Sequence, residues 1–329
     1  MTGAGTPLQS AAATMESGDY RIGIDLGGTK IAAGLVDIQS GAMTHFRRRP
    51  TPVSEGPIAI IRAVAEIASD IIALAKAEGR FPLSIGIAVP ELVDLEGRVC
   101  SDWNFSIETI GAEIESLLGI PTMADSDVRA AAHAEARFGA GQSHQSFVYI
   151  SLGTGISYSL VINGRPWAGA NGFAIHFASS VLALPREDDT ALTIANAEDF
   201  ASGKGMQRSF VRRAGKPPED GVRTLEAMSA EGDSLCTRIL DEAGEVTGRL
   251  LAQMINMVDP EAVVLGGGLG CSTGRYREKL EQYMRENIWA ARCRSIPLKL
   301  ASLGEGAGVV GAALAKPLGN RRQTIKVGA

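Results

Sequence analysis

The run Ile22-Gly23-Ile24-Asp25-Leu26-Gly27-Gly28-Thr29-Lys30-Ile31-Ala32 constrains this chain more than any other segment, because two strand-forming stretches flank an Asp-x-Gly-Gly-Thr-Lys turn. Gly27 and Gly28 let the backbone bend and bring its amides close to an anion. In that setting Asp25 can hold the hydrated magnesium ion that accompanies a nucleotide phosphate, while Thr29 supplies a hydroxyl donor and Lys30 a point charge. A plain β-hairpin with a Gly-Gly turn would use the same residues. The run is neither a Walker loop nor a Gly-x-Gly-x-x-Gly fingerprint, since the stretch after Lys30 patterns as strand and not as helix.

A chain of 329 residues, 45% of them hydrophobic, suffices for two domains with ordinary cores. Its net charge of −5 argues against a nucleic-acid partner, and the single basic cluster, Arg47-Arg48-Arg49, reads as a solvated strand end. Cys100, Cys236, Cys271 and Cys293 lie far apart, which predicts neither a disulfide framework nor a zinc knuckle and suits a reducing cytoplasm. Residues 1–19 have neither a basic start nor an apolar core and are expected to form a disordered tail. No apolar run reaches membrane-spanning length, so no membrane partner is expected.

Helical spacing runs from Ile58 to Glu78 and stops at Gly79. Leu83 to Val89, Leu117 to Ala124 and Phe147 to Leu152 read as strands, with an Ala-rich helix from Val128 to Phe138. Leu182 to Asn196, of mixed composition, reads as a long loop beside the site. A long amphipathic helix spans Leu235 to Met257. It is followed by a strand from Ala262 to Leu265, a helix from Tyr276 to Asn287, a strand near Pro297 to Ala301 and a last apolar helix. Alternating strands and helices predict an α/β fold.

Strand, Asp-x-Gly-Gly-Thr turn, strand resembles the first phosphate motif of the sugar kinase, Hsp70 and actin superfamily, and the Asp-Leu-Gly-Gly-Thr-Lys form resembles the ROK family of bacterial sugar kinases and sugar-responsive repressors. The resemblance implies two actin-like, ribonuclease H-like α/β domains around a central nucleotide and substrate cleft. Their expected extents are 20–122 and 123–318, with the last helix able to pack back on the first domain and a flexible tail at 319–329. Gly153-Thr154-Gly155 resembles the second phosphate motif and Gly266-Gly267-Gly268 the adenosine-side turn. Asp127, in Asp125-Ser126-Asp127-Val128-Arg129-Ala130-Ala131-Ala132, aligns with the family's catalytic base, although an Asp at a strand-to-helix junction is also a common helix cap. Gly169-Ala170-Asn171-Gly172 matches a family stretch. Glu198 inherits a sugar-hydroxyl role, and Asn104 is carried over as a substrate contact. ATP and Mg2+ are the implied cofactors, a small-molecule sugar or cyclitol the partner, and a homodimer the implied assembly.

The departures bear on the acceptor. His176 stands where glucose-type members have Glu, and Ser179 where they have a zinc-binding His. The family's cysteine-rich zinc block is missing from the stretch around 183–195, so no zinc site is expected. Ser126 replaces an Asn, and Glu91 a Gly. These changes make glucose an unexpected preferred substrate, because a buried hydrogen-bonding site rejects ligands that leave its groups unpaired. The expected activity is ATP-dependent phosphorylation of a primary hydroxyl on a hexose-like polyol, with a C7-cyclitol of the valiolone or valienone type preferred. An amino sugar such as kanosamine or N-acetylmannosamine also fits, with Glu91 or Asp125 facing an ammonium in the unacylated case. A catalytically silent sugar-binding protein is the competing class; too few residues precede Tyr20 for the repressors' helix-turn-helix.

Overall fold

The computed structural model describes residues 19–185 and 192–315, so the expected tails fall outside the described residues apart from Asp19. Two five-stranded sheets share one plan. In the first, β1 (Tyr20–Leu26), β2 (Lys30–Asp37) and β3 (Met43–Pro50) form an antiparallel meander. The strands β4 (Ile85–Val89) and β5 (Thr122–Ser126) add in parallel on the β1 side, giving the order β3-β2-β1-β4-β5. The second sheet repeats this with a meander of β6 (Ser146–Leu152), β7 (Ile156–Ile162) and β8 (Arg165–Pro166). Here β11 (Ala262–Gly266) and β12 (Leu298–Leu300) add in parallel, in the order β12-β11-β6-β7-β8.

Each sheet buries its own helices. Helix α1 (Pro57–Ala77) begins with Pro at its first position, which lacks the amide that would go unpaired there. It turns Ile60, Val64, Ile67 and Ile71 into the first core and ends where Gly79 takes a left-handed φ of 74°. The second core forms around β6 and β11 with α7 (Ser234–Val258) and α9 (Arg275–Asn287), where Tyr276, Leu280 and Met284 are fully buried. Helix α3 (Asp127–Phe138) follows directly on β5 and contributes Val128, Ala132 and Ala136 to a third cluster with Phe147 and Tyr149 of the second sheet.

Two readings of the sequence need correction. Leu117 and Leu118 close a helix, α2 (Ile110–Leu118), which ends at a left-handed Gly119, and the strand begins only at Thr122. Leu182 to Asn196 is not a loop throughout, because β9 (Val181–Pro185) and β10 (Leu192–Asn196) pair as an antiparallel hairpin. The helices α4 (Ala197–Ala201), α5 (Gly203–Ala214), α6 (Gly221–Ala230) and the single turn α8 (Gly267–Gly270) carry no strong sequence signal.

The last helix, α10 (Ala307–Ala313), packs on the first sheet and on α3. It can approach only because Gly23 on β1, Gly86 on β4 and its own Gly311 lack side chains. A Cβ at these positions would strike the carbonyl oxygens of Val309, Ala312 and Ala130, all of which are backbone atoms that cannot rotate away. Gly86→Ala is therefore expected to destabilise the fold by about 1–3 kcal/mol or more, read as a lowered denaturant midpoint. A Gly28→Ala control in the exposed turn should leave the midpoint unchanged.

Candidate active site

The hairpin joining β1 to β2 carries the Asp-x-Gly-Gly-Thr-Lys turn, closed by the Gly27 amide donating to Lys30 O at 2.9 Å. The Thr51 hydroxyl donates to Gly27 O at 2.6 Å and pins the turn from behind. Neither glycine adopts a left-handed φ. What Gly28 supplies is clearance, since a Cβ there would meet nothing within 4 Å. The second turn, Gly153-Thr154-Gly155 between β6 and β7, has the same property at Gly153, and the third has it at Gly268. Gly267, at φ 76°, lies against the backbone of Leu152, so the second and third turns are neighbours. The start of α5 closes on them, with the Gly203 amide donating to Gly153 O and the Lys204 amide to Thr154 O.

Asp25 ends β1 beside Gly308 of α10. Burial raises its carboxyl to about 6, with the Lys30 charge opposing and Glu305 reinforcing the rise. Lys30 Nζ is 3.1 Å from Glu305 Oε1, an exposed pair that an incoming anion can compete with.

Asp127 opens α3. The cap position itself is Ser126, whose hydroxyl makes no capping bond. Asp127 Oδ1 accepts from the Val128 amide at 2.6 Å. Its carboxyl is pushed up to about 7, first by burial and then by the charge of Asp25, with Glu91 and Asp125 adding to the rise. Two interacting acidic groups raised to about 6 and about 7 point to a site and not to a capped helix alone.

A cleft of about 730 Å³ brings together Glu91, Asn104, Asp127, Gly153, Thr154, Gly155, His176, Ser179 and Glu198. The turn at Gly27 and Gly28 and the turn at Gly266 to Gly268 lie outside this cavity's wall, and so does Asn171, which is exposed to solvent. Ser126 is fully buried, and its Oγ has no hydrogen-bond partner. Glu198, at the start of α4, is held by Asn196 Oδ1, which accepts from the Glu198 amide at 3.0 Å. Burial raises its carboxyl, while the Ile156 amide and the Ser179 hydroxyl that donate to it oppose the rise.

Glu91 and Asp125, expected to face an ammonium in the unacylated case, both already accept hydrogen bonds from the protein. Glu91 takes its donors from the 101–105 segment, with the Asn104 amide at 2.6 Å, the Trp103 and Phe105 amides at 3.1 Å, and the Ser101 hydroxyl. Asp125 Oδ1 accepts from Arg129 Nε at 2.6 Å. That guanidinium also donates to Val93 O at 3.0 Å and to Gly172 O.

Trp103, Lys204 and Asp199 also line the cleft and escaped the sequence reading. The available signal for Trp103 was a lone aromatic in the polar stretch Ser101-Asp102-Trp103-Asn104. Its ring meets His176 edge-on, with centroids 5.1 Å apart at 82°.

Two α/β halves of matching topology, with glycine turns at the ends of their hairpins and a cleft between them, define the actin-like sugar-kinase architecture. The chain belongs to the ROK family, whose model matches residues 21–317. It is similar to a ROK hexokinase structure from Thermus thermophilus, at 31% identity and TM-score 0.76 over 90% of this chain and 97% of that one. A ROK family glucokinase from Streptomyces griseus, solved in complex with glucose and AMPPNP, matches at 27% identity and TM-score 0.73 over 89% and 98%. The N-acetylmannosamine kinase of Salmonella typhi is 27% identical over 89% of this chain and 97% of its own length.

The open glycines separate a phosphate grip from an ordinary turn. Gly28→Ala and Gly153→Ala should fold with unchanged thermal midpoints, since no atom opposes the new methyl group and the φ values suit alanine. Both should weaken ATP binding measured by calorimetry; unchanged affinity would mark the glycines as turn residues only. The raised Asp127 carboxyl also has a stability sign. The folded chain holds this proton more tightly than the unfolded one, so Asp127 costs stability progressively as pH rises from its ordinary value of 3.8 to about 7. Asp127→Asn should therefore melt higher than the parent at pH 8, with the gain shrinking toward zero near pH 4.

Proposed function

We propose that this chain is an ATP-dependent kinase that phosphorylates the primary hydroxyl of a hexose-like polyol. The observation that carries this reading is Asp127, half-buried in the lining of the cleft that also holds the Gly153 turn, His176 and Glu198, with its carboxyl pushed up to about 7. ATP with Mg2+ supplies the phosphoryl group and its charge neutralisation when bound. Asp25 would hold the ion through water, and the clearances at Gly28, Gly153 and Gly268 give the phosphates and nucleoside room to approach the backbone. Lys30, released from Glu305, would face the phosphate charge. Asp127 accepts the acceptor's hydroxyl proton, a role suited by a carboxyl poised near the working pH. Domain closure would exclude water from the transfer.

The preferred acceptor in this reading is a C7-cyclitol of the valiolone or valienone type, because the wall that meets the anomeric end in glucose-type members is rebuilt here with His176 and Ser179. N-acetylmannosamine is the second reading, favoured by the similarity to a kinase of that name. An unacylated amino sugar loses support from the engagement of Glu91 and Asp125 described above. The protein would work in the cytoplasm as a homodimer. No helix among the described residues is long and apolar enough to cross a membrane.

The test is ATP-dependent phosphorylation of glucose, kanosamine, N-acetylmannosamine, valienone and 2-epi-5-epi-valiolone. Asp127→Asn should lose turnover by roughly 10²-fold or more and retain nucleotide binding; full activity in that variant would sink the mechanism. The kcat/KM of the parent should rise with pH up to about 7, where Asp127 becomes ionised, and then level off. No turnover of any compound, with binding intact, would favour the silent sugar-binding class.

A further inference from the structure

Glu91 is 1% exposed, yet it lies in the cleft wall. An isolated buried carboxylate is costly, and it is tolerated here because five donors converge on its two oxygens. Oε1 accepts from the amides of Asn104 and Phe105 and from Asn104 Nδ2 at 3.1 Å. Oε2 accepts from the Trp103 amide and the Ser101 hydroxyl. No lone pair is left for a ligand. The effect falls on the 101–105 segment, a stretch outside helix and strand whose backbone amides would otherwise lack partners.

That segment carries Trp103, 60% exposed, whose ring stands edge-on to His176. His176 is the complementary oddity. Both of its ring nitrogens are buried without a hydrogen-bond partner, which is costly unless something enters the cleft to pair them. Burial lowers its basicity, which favours the neutral ring. A neutral imidazole offers one donor and one acceptor, the complement of a hydroxyl pair. An ammonium could satisfy only the acceptor nitrogen and would leave the donor facing a like-signed group.

We propose that Glu91 is a positioning residue for acceptor recognition: by anchoring the 101–105 segment it sets Trp103 against His176, and this wall selects an acceptor whose edge bears uncharged hydroxyls over the same scaffold bearing an ammonium. The inference rests on the kinase reading for its substrate class but has its own readout.

The experiment uses the full chain with two measurements, tryptophan emission during acceptor titration and steady-state phosphotransfer with ATP and Mg2+. Each acceptor is paired with its ammonium counterpart: N-acetylmannosamine with mannosamine, glucose with glucosamine, and the valiolone-type cyclitol with its amine. The neutral member of a pair should bind more tightly. Glu91→Ala should raise the acceptor KM about tenfold while leaving the ATP KM near the parent value, and Glu91→Gln, which keeps one accepting oxygen, should recover part of the loss. Should Glu91→Ala fail to fold, His176→Leu, which leaves the Glu91 anchor intact, carries the test with the same expected split. A folded Glu91→Ala or His176→Leu with parental acceptor KM overturns the proposal, as does equal or tighter binding of the amines. An acceptor-dependent emission change that Trp103→Phe abolishes, without phosphate transfer, overturns the kinase reading and supports the wall. Transfer with parental kinetics in both Trp103→Phe and His176→Leu does the reverse. Neither binding nor transfer overturns both.

Discussion

The cleft depends on the buried guanidinium of Arg129. It lies 3% exposed on α3, two residues beyond Asp127, and reaches three places at once: Asp125 at the end of β5, Val93 O in the loop after β4, and Gly172 O in the loop after β8. A buried cation without partners would cost several kcal/mol. The loops that supply its carbonyls are therefore bound to meet, and Gly172 lies so close to Val93 and Asp94 that a Cβ there would clash with both. This contact brings the loop holding His176 against the wall held by Glu91. Lysine, a compact point charge on a shorter side chain, lacks the planar fork that spreads over these three acceptors.

Electrostatics within the cleft follow from the same packing. Asp25, Asp127, Asp125 and Glu91 crowd the ends of β1, β4 and β5, and the protein treats them differently. Asp125 is engaged by Arg129, and Glu91 by the 101–105 amides. Burial raises the carboxyls of both Asp25 and Asp127, and the charge of Asp25 adds to the rise at Asp127. Pairs of carboxyls whose environments diverge in this way separate structural from chemical roles.

Features that depend on local chain chemistry were legible in the sequence. The Asp-x-Gly-Gly-Thr-Lys turn, the Gly153 turn after an apolar strand, and the Asp127 junction each carry their signal within a few residues. So does α1, with its apolar stripe and its proline and glycine ends. Long-range partners were not legible. Nothing about Glu91 in sequence announces that five donors some ten to fourteen residues on will close around it, which is why it read as a ligand contact. Asn171 matched a motif yet faces solvent outside the cavity wall, because a motif fixes residue types and not the side of the loop they present. The β9–β10 hairpin was read as loop because neither of its strands shows a clear alternation, and Leu117 was read as strand because its helix, α2, is short.

The placement of α10 has a consequence for how the chain is made. Val309, Val310 and Ala313 cover Ala32, Val36 and Ile38 on a sheet whose first strand begins at Tyr20, with most of the second half of the chain lying between them. As a ribosome synthesises this protein from its N-terminus, the first sheet emerges with that face bare and stays so until residue 313 has left the tunnel. The earlier half is thus exposed to misassociation for nearly the whole of synthesis. Its glycine seats at Gly23 and Gly86 remain open, reserved for a helix that arrives last.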